Sequence, residues 1–144
     1  MKLLSRSKLL LIGGALSLIF GATAAIAHHS TSGFDTDKVV KIEGEVTLFR
    51  WTNPHASIKI DGKVEGEEQT IWTIELTAPN VLINQGWKRS SLQKGQHVVV
   101  YANPLQNDEF RLRDGSKGAL YVGVELADGS TLGSVDGTGR GSSD

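Results

Sequence analysis

Cysteine is absent from all 144 residues. That excludes a disulfide, a lipid anchor on cysteine and a thiolate metal site, so any metal must be held by nitrogen and oxygen donors. An excess of positive charge is missing as well. The formal net charge is −1, and it falls to −4 if residues 1–27, which carry three basic residues and no acidic one, are removed. A nucleic-acid partner is therefore not expected. Catalytic signatures are lacking too: no nucleophile stands beside a base, no glycine-rich phosphate loop follows a strand, and His-Glu-x-x-His does not occur. These absences favour a non-enzymatic role.

The first 27 residues carry the clearest positive signal. Lys2, Arg6 and Lys8 form a basic region, Leu9 to Phe20 an apolar one, and the small residues Ala25 and Ala27 occupy the −3 and −1 positions read by signal peptidase. The pattern predicts cleavage before His28, export to the periplasm and a mature chain without a membrane span. The rival reading is a retained anchor, because Leu9 to Ala27 is 19 residues long and about 20 apolar residues can cross a bilayer. Gly13, Gly14, Ser17, Gly21 and Thr23 dilute that segment and favour cleavage. The 117 residues that remain suit one small domain with one core.

Residues 28–38 read as a polar leader anchored only by Phe34, followed by a single β-domain over 39–132 and a disordered Gly/Ser-rich tail over 133–144. Val40, Ile42, Val46 and Leu48 alternate with polar residues, the pattern of a strand with one buried face. Gly44 falls on that buried face, where it permits a bulge or a sharp coil. Thr52-Asn53-Pro54 is turn chemistry, and Ala56, Ile58 and Ile60 give a second strand ended by Asp61-Gly62. A solvated loop over Gly62 to Gln69 leads to a third strand at about Thr70–Thr77. Pro79 to Gln85 breaks the alternation and reads as a short helix, with Pro79 suited to its first turn and Gly86 to its stop. Val98 to Tyr101 and Leu120 to Leu126 complete five strands. This is the order of an all-β OB-fold-like five-stranded barrel with one short helix between strands three and four; a small β-sandwich is the alternative.

His28-His29-Ser30, Trp51-Thr52-Asn53-Pro54-His55, Trp72 with Glu75, Pro79-Asn80, and Gly86-Trp87 with Leu92 and Gly95 together resemble a bacterial exported family called domain of unknown function 6152. The resemblance runs from about His28 to Leu132 and implies a small periplasmic β-domain without an assigned activity. Two departures stand out. Asn84 and Gln85 occupy positions where the family often carries basic residues, and the segment from Pro104 to Gly118 is charged and irregular.

Two constellations can carry chemistry. The first is a candidate metal set of His28, His29 and His55, in which a free amine on His28 and neighbouring imidazoles would chelate Cu(II). The second is a candidate ligand surface of Phe49, Trp51, Asn53, His55 and Glu75. Odd positions of the first strand face away from its core side, so Phe49 and Trp51 point outward unless a bulge intervenes. The competing reading packs both beneath the helix and Trp87. His55 and Glu75 lie on polar faces of strands two and three and can meet. Trp87 and Leu82 read as core, His97 as a solvent-facing strand residue. The partner is open among a small ligand, a metal and another exported protein.

Overall fold

The computed structural model describes residues 32–135. The predicted signal segment, His28, His29 and most of the expected tail lie outside the described residues. Strands β1 (Val40–Arg50), β2 (Ser57–Val64) and β3 (Thr70–Glu75) precede the helix α1 (Pro79–Asn84), and β4 (His97–Pro104), β5 (Lys117–Leu126) and β6 (Thr131–Gly133) follow it. Neighbouring strands run β3-β2-β1-β4-β5-β6, all antiparallel, and a parallel pairing of β3 with β5, from Trp72 opposite Lys117 to Glu75 opposite Leu120, closes the ring. The result is a closed five-stranded mixed barrel with one short helix between β3 and β4, the OB-like arrangement. The short β6 adds to β5 through Gly123 to Glu125.

β1 is shared between β2 and β4. At its centre Gly44 lies opposite Gly62 of β2, and a Cβ on Gly44 would collide with the Asp61 carbonyl and approach the Gly62 Cα to 2.5 Å. Glycine is thus required here for close backbone approach. No bulge forms at this position: the β1–β2 ladder runs unbroken from Ile42 to Val46 and slips between Val46 and Leu48 instead. Gly62 likewise does not end β2, which continues to Val64. The turn falls at Glu65–Gly66, where Gly66 takes a φ of +82°.

The slip past Thr47 resets the two-residue period. One extra residue exchanges the faces of every side chain after it. Leu48, expected in the core, is 41% exposed, whereas Phe49 and Trp51, expected outside, are half-buried and pack against the core. The Thr47 hydroxyl donates to the Lys59 carbonyl at 3.2 Å, tying the extra residue to β2.

α1 starts at Pro79 without a side-chain cap and ends as its sequence predicts. Gly86, at φ +87°, donates its N–H to Ile83 O at 3.1 Å, and Trp87 donates to Leu82 O at 3.0 Å. These two bonds form a Schellman stop, in which the residue after the glycine turns back onto the helix. Trp87 and Leu82 enter the core in this way, beside Ile42, Val46, Ile58, Ile60, Ile74, Leu76, Val98, Val100 and Val124. The described part of the leader is not free. Phe34 bridges Leu105, Asp35 N–H donates to Pro104 O at 2.8 Å, and Gln106 N–H donates to Gly33 O at 3.0 Å. Among the described residues no helix is long and apolar enough to cross a membrane.

Candidate functional site

The loop from Trp51 to Ala56 joins β1 to β2 and contains a cis Asn53–Pro54 bond. Pairing of β2 with β3 extends into it, because Ala56 N–H donates to Thr77 O at 3.1 Å and Leu76 N–H donates to Ala56 O at 3.0 Å. This backbone clamp places His55 beside Glu75, which itself pairs with Ser57. The imidazole Nδ1 of His55 is hydrogen-bonded to the Glu75 carboxylate, and both side chains are substantially open to solvent. With Nδ1 engaged, the Nε2 of His55 has no partner among the described residues. A carboxylate that fixes one ring nitrogen determines what the other can offer a ligand or a metal.

The aromatic members of the predicted surface behave differently. Phe49 meets Trp51 edge-on at 5.7 Å and Trp87 at 5.9 Å, and Trp87 meets Tyr121 edge-on at 5.3 Å. Trp87 Nε1 donates to the Tyr121 hydroxyl at 3.1 Å. Burial pushes the Tyr121 hydroxyl up to about 12, against the smaller opposing influence of that hydrogen bond. Phe49 and Trp51 therefore belong to an aromatic plug at the end of the barrel where β1 finishes. The five sequence candidates divide into a pair packed against the core, Phe49 and Trp51, and a rim of exposed Asn53 and His55 with half-buried Glu75.

For the metal set, His28 and His29 lie outside the described residues, and among the described residues no group of three or more His, Asp or Glu side chains is placed to hold an ion. His97 is solvent-facing as expected, 3.5 Å from Glu43.

A second cluster, on the β4–β5 loop, lies outside the candidate residues that the sequence marks. Lys59 on β2 pairs with Asp114; Asp114 also accepts from Ser116 Oγ at 2.6 Å and Ser116 N–H at 3.1 Å, and Ser116 Oγ lies 2.8 Å from Thr73 Oγ1. The Lys59 hydrogen bond, with those from Ser116, holds the Asp114 carboxyl well below the usual carboxylate range. Next to it, Lys117 pairs with Glu67 at 2.7 Å and stands 5.1 Å above the Trp72 ring. The sequence signals were the outward phase of Lys59 and Thr73 and the irregular charge of the loop. Neither names a partner more than 40 residues away.

Residues 16–115 match the profile of a family described as a family of unknown function, DUF6152. No match is found among curated proteins or among solved structures.

Proposed function

The chain belongs to the DUF6152 family, whose match covers well over half of its length, and on that premise we propose that it acts after export as a non-enzymatic binding or accessory module of the periplasm. Its contact surface is the rim formed by Asn53, His55 and Glu75. The observation that carries this reading is the solvent-accessible His55–Glu75 pair, held in place by backbone pairing beside it and leaving Nε2 without a partner among the described residues. A solvent-exposed side-chain contact adds little to stability, which leaves the His55–Glu75 pair free to serve contact with a partner. Residues 1–27 support export through their signal-peptide pattern.

Crosslinking in living cells tests the surface. A photoreactive residue at Asn53 is expected to trap one defined adduct that disappears in the His55→Ala background, whereas the same probe at Glu65, in the β2–β3 turn, traps none. An adduct obtained equally from both positions, or from neither, rejects the rim as the contact surface.

A second reading, Cu(II) binding, is favoured by the same Nδ1 contact, since metal-ligating histidines commonly donate their other nitrogen to a carboxylate. His55 would then be joined by His28, His29 and the amine exposed by cleavage. Copper titration of the chain beginning at His28, of the same chain with one residue added before it, and of His55→Ala separates the readings. Affinity that changes less than about threefold in both altered proteins, roughly 0.65 kcal/mol, removes copper and leaves docking to another exported protein.

A further inference from the structure

Acidic residues are unevenly spread along this chain. None occurs in 46–60 or in 76–107, although the sequence holds 16. These two segments meet where β1 finishes, at the end of the barrel plugged by Trp87. Phe49 lies against Trp87, Val46 N–H donates to Gln96 O at 2.9 Å, and Gly95 N–H donates to Val46 O at 2.8 Å. The stretch 88–95 is thus held at both its ends beside the last residues of β1. Gly86 and Trp87, bonded back to Ile83 O and Leu82 O, tie the last turn of α1 to the start of the same stretch.

What this end shows to solvent is apolar and cationic. The slip at Thr47 that turns Leu48 outward also turns out Arg50, which would otherwise face the core, and Lys88, Arg89 and Lys94 are exposed on the neighbouring stretch. None of these four cations has an ion-pair partner among the described residues. Leu48 is 41% and Ile83 59% exposed, two of the four large hydrophobic side chains left open among the described residues. Of the acids nearest this end, Glu75 is engaged by His55, and Glu45 precedes the slip, opposite Asp61 and His97. Glu43 and the acids of the β2–β3 turn, Glu65, Glu67 and Glu68, stand toward the beginning of β1. A chain of net negative charge therefore carries one cationic end.

We propose that this end docks reversibly on an anionic phospholipid bilayer, with the four cations against headgroup phosphates and Leu48 and Ile83 toward the hydrocarbon boundary. Cations that flank isolated exposed apolar side chains match a surface whose charge and hydrocarbon lie in successive layers. A nucleic acid would be met by aromatic side chains on which bases stack, and those of this end, Phe49, Trp51 and Trp87, pack into the core. Export, proposed above, would carry the chain across such a bilayer. The docking surface is separate from the rim of Asn53, His55 and Glu75, and neither depends on the other.

Vesicle sedimentation of the chain beginning at His28 supplies the test. That chain keeps the whole barrel and its core and leaves out the apolar segment 9–27, which would bind lipid by itself. Vesicles of phosphatidylglycerol and phosphatidylcholine in equal parts are expected to carry the protein down, vesicles of phosphatidylcholine alone to leave it in solution, and salt at about 0.5 M to release it. Lys88→Gln combined with Arg89→Gln should weaken binding about 25-fold, about fivefold for each cation, and Ile83→Ser about threefold. Lys63→Gln, which removes a cation opposite Glu43, and His55→Ala should each change it by less than about twofold. The replaced side chains at 83, 88 and 89 are exposed, so the fold should persist; unchanged strand amides check it, and Lys94→Gln, about fivefold weaker, replaces any variant that fails. Equal sedimentation with both kinds of vesicle overturns the proposal, as does unchanged binding in the double variant or an equal loss in Lys63→Gln or His55→Ala. Binding to poly-glutamate or duplex DNA as tight as to the anionic vesicles, with Ile83→Ser silent, also overturns it and points to a soluble polyanion in place of lipid.

Discussion

The two ends of this barrel are each filled by a tryptophan, and the two indoles are treated in opposite ways. Where β1 finishes, Trp87 is 1% exposed, enclosed by aromatic neighbours and hydrogen-bonded to Tyr121. Where β1 begins, Trp72 is nearly as buried, yet its N–H is unpaired and its neighbours are lysines, carboxylates and a loop. The first end is closed by a helix stop that delivers Trp87 as a plug. The second is closed by a loop latched through charged contacts at its margins. A satisfied aromatic cluster stabilises; a buried donor left without a partner costs stability.

The largest effect should come from deleting the plug. Trp87→Ala is expected to lower unfolding free energy by about 3–5 kcal/mol through lost burial and the remaining cavity, measured by urea denaturation. A loss below about 1 kcal/mol would mean that the helical end is not the structural one. Alkaline pH attacks the same cluster through Tyr121. Its hydroxyl ionises near 10 when exposed and about 12 when folded, so its contribution is complete below pH 10 and is lost as pH rises to 12. The loss is on the order of 2–3 kcal/mol. Tyr121→Phe should be less stable than the parent at pH 9 yet should lose less between pH 10 and 12; parallel curves would place the titration elsewhere.

Exchanging each indole for phenylalanine sharpens the comparison. Trp87→Phe removes a paired donor and orphans the Tyr121 hydroxyl, whereas Trp72→Phe removes a donor that has no partner. With similar volume lost at both sites, Trp87→Phe should be more destabilising by about 1–3 kcal/mol. Equal losses in urea denaturation would show that the two indoles are not differently satisfied.

Much of this architecture was legible in the chain. Alternation located five strands, Pro79 and Gly86 bracketed the helix, and Gly86-Trp87 predicted both the stop and the plug, because each depends on neighbours a few residues apart. The face of Phe49 and Trp51 was not legible, since it turns on where a bulge falls. The missing side chain made Gly44 the visible candidate, but its role is close contact with Gly62, and the slip occurs at Thr47, which carries no turn signature. Of the site, the His55–Glu75 meeting followed from phase on adjacent strands. The Lys59–Asp114 and Lys117–Glu67 contacts did not, because they require the loop and the turn to be placed in three dimensions.

The smallest stability effect is expected at the rim, and it separates the two halves of the constellation that the sequence grouped together. Phe49 packs against Trp87 and the core, so Phe49→Ala should cost about 2 kcal/mol, less than a fully buried phenylalanine. His55 and Glu75 are open to solvent, and their contact competes with water. His55→Ala and Glu75→Gln should therefore leave the urea midpoint within about 0.5 kcal/mol of the parent. If the rim is a contact surface, the same two substitutions should abolish the adduct trapped from Asn53, whereas Phe49→Ala should retain it under conditions where the variant remains folded. Loss of stability at His55 comparable to that at Phe49 would make the pair part of the scaffold, and retention of the adduct in both rim variants would remove it from the contact surface. A rim that can be altered at no cost to folding, with loss of the adduct, is one whose order serves recognition.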